Sequence, residues 1–148
     1  MKRVVVFGVF DLLHPGHLYF LREAKKHGTH LTVVLTRDVR VRAEKKHQPF
    51  FNERERLSMV GALKWVDRAI LGDKVGEWTM LKRLHPDVVC VGYDQEKEWI
   101  MRCGLAHMPR VIHIMPWYAT KYRSSMLLTG HCERSEAISR SPRSSTSR

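Results

Sequence analysis

The stretch RVVVFGVFDLLHPGHLYFLREAKKHG, residues 3–28, decides the fold. It opens on a continuous apolar run rich in β-branched side chains, residues 3–10. A strand of that kind is apolar on both faces, which suits the interior of a parallel sheet. From His17 onward Leu18, Leu21 and Ala24 fall near helical spacing, lysines come late, and Gly28 stands where a helix C-cap belongs. Between strand and helix lie His14, Pro15, Gly16 and His17. With His14 at the N-cap, Pro15 takes the first helical position, where its missing N–H costs little. Gly16 leaves the helix start clear of side chain, and His17 opens the first turn. A bare turn needs far less chemistry than this.

Outward from that junction, strand and helix patterns alternate. Strands are expected at residues 30–36, 66–71, 87–94 and 110–116. Helices are expected after Asn52, which is a good N-cap with acids in the following turn, at residues 77–85 before Pro86, and at residues 95–104. Residues 37–51 read as a basic, partly ordered loop, with five cations against two acids between Arg37 and Lys46. The alternation predicts a doubly wound, Rossmann-like α/β fold: a five-stranded parallel sheet with helices on both faces. One domain over residues 1–128 is expected, followed by a Ser/Arg-rich tail, residues 129–148, too poor in apolar side chains to fold.

The chain has 148 residues and a net charge of +11, which favours anionic partners such as phosphorylated metabolites or nucleic acid. No apolar run of about 18 residues is present, so no membrane span is expected. The three cysteines are far apart and form no CxxC pair. With no apolar leader at the N-terminus, they point to reduced thiols in the cytoplasm.

In an open parallel sheet, ligands bind beyond the carboxyl ends of the strands. The helix N-terminus at HPGH offers unpaired N–H groups and the positive end of a dipole, a setting for an anion. Imidazoles at i and i+3 can point to one side. Charged, they would hold phosphate oxygens and stabilise charge developing on a transferring phosphoryl group. No Cys, Asp or Glu at metal-ligand spacing joins the pair, so no resident metal is expected. Asp11 is open to two readings, orienting a histidine or Mg²⁺, or accepting backbone N–H bonds in the turn. Cys90 reads as a core residue, and Trp65, Trp78 and Trp99 read as packing residues on helical faces rather than flavin-stacking ones.

The segment GVFDLLHPGH, residues 8–17, resembles the first signature of the cytidylyltransferase-like nucleotidyltransferase superfamily, which carries HxGH or TxGH after its first strand. RDVRVRAEKKHQPFFNERERL (37–57), VDRAILGD (66–73) and VGYDQ (91–95) extend the likeness. Together they most resemble the archaeal-type FAD synthases, which move AMP from ATP onto FMN. The resemblance implies a role for each matching position. Val9 and Phe10 would hold the nucleotide near the end of the first strand, and Pro15 and Gly16 would line its approach. His14 and His17 would contact the triphosphate, and Lys46 would reach the phosphates from the basic segment. Asp11 and Asp94 would lie by the nucleotide. Tyr118 would border it, and Ser124 and Ser125 would bind phosphate oxygens at the start of a last helix. Mg²⁺ would arrive with ATP, and a homodimer is implied.

Two rival readings remain open at this point. One is cytidylyl transfer to glycerol 3-phosphate or a similar small phosphate. Against it, YATKYRSSML (118–127) lacks the Arg and Gly of the Arg-Thr-x-Gly-Ile-Ser-Thr-Thr stretch usual in those enzymes. The other is a non-catalytic basic nucleic-acid-binding protein, which no nucleic-acid motif supports.

Overall fold

The computed structural model describes residues 1–75, 77–93 and 95–116. Ten elements follow one another: β1 (Arg3–Gly8), α1 (Pro15–Lys25), β2 (His30–Leu35), α2 (Asp38–Lys45), α3 (Glu53–Gly61), β3 (Arg68–Leu71), α4 (Met80–Leu84), β4 (Val88–Gly92), α5 (Glu98–Arg102) and β5 (Arg110–Ile114). The five strands form one sheet in the order β3-β2-β1-β4-β5, and every pairing is parallel. The expected doubly wound α/β architecture is what the chain adopts.

The strands hold both faces of the sheet because they are apolar on both. Val4 and Val6 of β1 pack with Leu21 and Ala24 of α1 and Val60 of α3. On the other face, Val89 and Val91 of β4 pack with Leu81 of α4 and with Ile100 and Cys103 at α5, joined by Phe7 of β1. Cys90 is fully buried, and desolvation pushes its thiol up to about 12, as a core cysteine requires.

Three local expectations are corrected. The segment after β2 is not a loop but the helix α2, and its cause is non-local. The α2 and α3 N-termini exchange carboxylates: Asp38 N–H donates to Glu53 Oε2 (2.9 Å) and Glu53 N–H donates to Asp38 Oδ2 (3.0 Å). Each acid satisfies an amide the other helix leaves unpaired. Secondly, α1 ends at Lys25 with Lys26 as its C-cap, so Gly28 is not the cap. A Cβ there would sit 2.5 Å from Val4 Cγ2 and 2.6 Å from the Lys2 carbonyl oxygen, so the glycine permits a close pass beneath β1. Thirdly, of these three, Trp65 and Trp78 lie in connecting segments, not on helices, and Trp99 is helical. The N-cap at Asn52 is as expected, with a full capping box to Glu55.

Candidate active site

The strands run parallel, so all their carboxyl ends lie on one side. A cavity of about 1160 Å³ opens there, lined by the last residues of four strands, Gly8, Leu35, Gly92 and Ile114. From β1 the chain builds outward to β2 and β3, then returns to the other side for β4 and β5. The carboxyl ends of β1 and β4 therefore flank the switch point, where such sheets bind ligands. Gln95 spans it: its Nε2 donates to the Phe7 carbonyl (3.2 Å) and its Oε1 accepts from Gly92 N–H (3.0 Å).

HPGH lies at the end of β1. His14 is the extended N-cap of α1, and its Nδ1 accepts from Gly16 N–H (3.1 Å). The His14 carbonyl accepts from His17 N–H (2.9 Å) and Leu18 N–H (3.2 Å). These bonds correct the expectation of unpaired amides at the helix start: His14 takes them itself. They also give the ring a definite tautomer. With Nδ1 accepting, the proton of the neutral imidazole belongs on Nε2.

The His17 ring stacks on His14, with centroids 3.8 Å apart and planes 22° apart, and its edge meets Phe10 at 5.4 Å. Burial pulls the His17 pKa down to about 3, with repulsion from His14 as the lesser cause; burial lowers His14 as well. Both rings are thus neutral at pH 7 in the free protein, not the imidazolium pair expected from their spacing. His17 Nδ1 is buried and has no hydrogen-bond partner among the described residues. A buried polar atom left unpaired costs about 1–3 kcal/mol, so this one is poised for an outside partner.

The turn before HPGH is strained and held. Phe10 and Leu12 adopt positive φ (50° and 47°), unusual for such side chains. Asp11, between them and 6% exposed, accepts from Phe50 N–H (2.7 Å), Phe51 N–H (3.1 Å) and Leu12 N–H (3.1 Å). Of its two readings, the structure gives the turn-holding one direct contacts. Arg56, which the sequence reading missed, completes the clamp. It is fully buried, and its guanidinium donates to the carbonyls of Val9 (2.6 Å), Thr36 (2.8 Å) and Phe51 (3.1 Å) and to Asp38 Oδ1 (2.7 Å). One side chain thereby joins the ends of β1 and β2 to the starts of α2 and α3. No periodic signal marks it, since an Arg at that position in a helix reads as solvated surface.

Val9, Phe10, Asp11, His14, Gly16 and His17 all line the cavity. Pro15 is the first residue of α1 beside them. Lys46 is the left-handed, exposed C-cap of α2; it is its neighbours Lys45 and His47 that line the cavity. Asp94, Tyr118, Ser124 and Ser125 lie outside the described residues. The structure adds Gln95, Arg40, Trp78 and Trp99 to the cavity wall.

A family model for cytidylyltransferase-like proteins matches residues 5–138. The chain belongs to the cytidylyltransferase-like family. The resemblance read from HPGH is thus borne out. Among relatives of this family, the FAD synthase of Aciduliprofundum boonei is 49% identical over 106 residues, 70% of each chain. The FAD synthase of Archaeoglobus profundus is 47% identical over 131 residues, 84% of this chain and 82% of that one. The fold also matches the crystal structure of a lipopolysaccharide core biosynthesis protein from Thermoplasma volcanium, with a TM-score of 0.71 and 36% identity, over 79% of this chain and 98% of that chain. Pantothenate synthetase from Thermus thermophilus shares the fold alone, at 14% identity, with a TM-score of 0.50 over 87% of this chain and 64% of that one.

Proposed function

We propose that this nucleotidyltransferase moves AMP from ATP to FMN, forming FAD and releasing pyrophosphate. The observation that carries this reading is the stacked histidine pair on α1, one nitrogen unpartnered, facing a cavity at the switch point of a chain 49% identical to an FAD synthase. A phosphate oxygen of FMN attacks the α-phosphorus of ATP; the new O–P bond forms as the bond to the pyrophosphate oxygen breaks. The FMN phosphate is already ionised at neutral pH, so no strong base is needed. Catalysis is positioning and charge stabilisation.

His14 donates from Nε2–H to the triphosphate. His17 takes up a proton as the anion arrives, because a nearby negative charge favours the imidazolium. Its buried Nδ1 then finds its partner on a phosphate oxygen. Lys46, with Lys45, supplies cations at the end of α2. Asp94 borders the nucleoside beyond β4, while Tyr118, Ser124 and Ser125 serve the nucleotide from beyond β5. The divalent cation, Mg²⁺, enters as part of the nucleotide substrate. Cys90 and Cys103 are free thiols, consistent with work in a reducing cytoplasm. Among the described residues, no helix is long and apolar enough to cross a membrane.

The test offers ATP or CTP, each with FMN or with glycerol 3-phosphate, and follows pyrophosphate and dinucleotide. Turnover with ATP and FMN alone is expected. Turnover with CTP and glycerol 3-phosphate would replace this reading by the cytidylyl one, and salt-sensitive nucleic-acid binding without turnover would replace both.

A further inference from the structure

The sheet is split at the switch point. On either side of the split, pairing runs to the last residue of each strand: Gly8↔Leu35 between β1 and β2, and Gly92↔Ile114 between β4 and β5. The central pairing stops short. β1 and β4 are in register at Val4↔Val88, Val5↔Val89 and Val6↔Cys90 and no further, although β1 runs on to Gly8 and β4 to Gly92. The Gly8 carbonyl faces β2, where it accepts from Thr36 N–H (2.9 Å). Alternation along the strand therefore turns the Phe7 carbonyl toward β4. Continued by one step, the register would have Gly92 N–H donate to that carbonyl.

Those two groups are the ones the Gln95 amide joins. Its Oε1 accepts from Gly92 N–H (3.0 Å) and its Nε2 donates to the Phe7 carbonyl (3.2 Å). The side chain stands in the ladder as an inserted amide unit, so the two strand ends are held apart by its width. Its backbone N–H donates to the Gly92 carbonyl (3.2 Å), which ties the residue to the end of β4. The amide can face only one way, because Gly92 N–H only donates and the Phe7 carbonyl only accepts. Phe7, Gly8, Gly92 and Gln95 all line the cavity. From the β1 end, contact leads to the histidines. A Cβ on Gly8 would lie 2.7 Å from Phe10 Cε2, so the Phe10 ring lies against the strand there, and the same ring meets the edge of His17 with centroids 5.4 Å apart.

We infer that Gln95 is a positioning residue: its amide wedges the ends of β1 and β4 apart at a fixed width and, through Phe7, Gly8 and Phe10, sets where His17 stands at the cavity. The inference rests on the nucleotidyl-transfer reading above. In-line transfer needs the attacking oxygen and the α-phosphorus in near-attack geometry, and a displacement of about 1 Å in the groups that hold them costs on the order of a hundredfold in rate. Without the amide, Gly92 N–H and the Phe7 carbonyl lose their partners and are drawn to each other, which closes the split and moves the β1 end.

The full chain is compared with two variants. Gln95→Met keeps the length of the side chain and removes both bonds. It is expected to lower kcat for FAD formation about tenfold to a hundredfold and to leave KM for ATP and for FMN within about threefold. Gln95→Glu makes the wedge titratable. Ionised, the carboxylate accepts from Gly92 N–H but sets its other oxygen against the Phe7 carbonyl; protonated, it makes both bonds again, its O–H donating to Phe7. The kcat of Gln95→Glu relative to the parent should therefore rise as pH falls from about 8 to about 5.5. Histidines and substrate phosphates common to both chains cancel in that ratio. The Gly92 amide proton resonance of Gln95→Glu should titrate with the same midpoint. A kcat within about threefold of the parent in Gln95→Met overturns the inference, and so does a rise in KM with kcat unchanged, which would make Gln95 a ligand contact. If Gln95→Met does not fold, Gln95→Glu decides, and a ratio independent of pH overturns the wedge. Should the parent chain make no FAD, the functional reading fails by itself; a Gly92 resonance that titrates in Gln95→Glu then still upholds the wedge, and one that does not removes it.

Discussion

His17 carries two properties that oppose each other: its buried Nδ1 has no partner among the described residues, which favours an outside one, while burial holds its pKa near 3 and keeps the ring neutral. His17→Ala is therefore expected to lower kcat about a hundredfold or more, the usual effect of losing one such contact to the transition state. The fold should survive, because the His17 N–H bond to the His14 carbonyl is kept; kcat within threefold of the parent would remove His17 from the chemistry. The depressed pKa also sets a pH dependence. Above about pH 6.5, the ordinary value for an unfolded histidine, both states hold the ring neutral and stability is complete. Below it the unfolded chain binds a proton that the folded one refuses, so stability falls as pH falls toward 3. From pH 7 to 5 the loss should be on the order of 2 kcal/mol, above the range where carboxylates titrate. Urea unfolding at the two pH values reads it, and His17→Asn should remove most of the slope.

At the scale of elements, the active-site turn depends on how α2 and α3 begin. Asp38 and Glu53 each cap the other's helix, and Arg56 binds Asp38 and three carbonyls from full burial. Arg56→Leu leaves Asp38 without its buried cation and strands those carbonyls. A loss of about 3–5 kcal/mol is expected, read as the shift in urea midpoint at constant slope; a loss under 1 kcal/mol would show that the clamp is dispensable. Asn52→Ala removes only one capping box and should cost about 1 kcal/mol. The two effects should not add fully, since both substitutions act on the first turns of α3.

Across the whole molecule, the net charge of +11 favours the two anionic substrates of the proposed reaction. Raising salt from about 0.05 to 0.5 M should therefore raise KM for both ATP and FMN several-fold and change kcat little, because screening weakens attraction at a distance more than contacts in the cavity. A salt-independent KM would mean that the charge serves something else.

The parallel sheet, the strand-to-helix hand-over and the place of HPGH at the carboxyl end of the first strand were legible in the chain. They depend on periodicity, on apolar runs and on residues adjacent in sequence, where local chemistry and tertiary fate coincide. Asn52 was legible for the same reason. The helix α2 was not: its composition is that of a solvated loop, and what folds it is Glu53, fifteen residues on in the chain. The neutrality of the histidines was hidden too, because burial, not spacing, sets a pKa. Arg56 looked like a surface arginine, and Trp78 and Trp99 looked like packing. By itself, then, the sequence determined the architecture and the chemical kind of site, through contacts between near neighbours. Only the tertiary structure decided which distant side chains clamp the turn, how the imidazoles are charged, and that two tryptophans face the cavity, since each of these turns on burial and on groups brought together from separate elements.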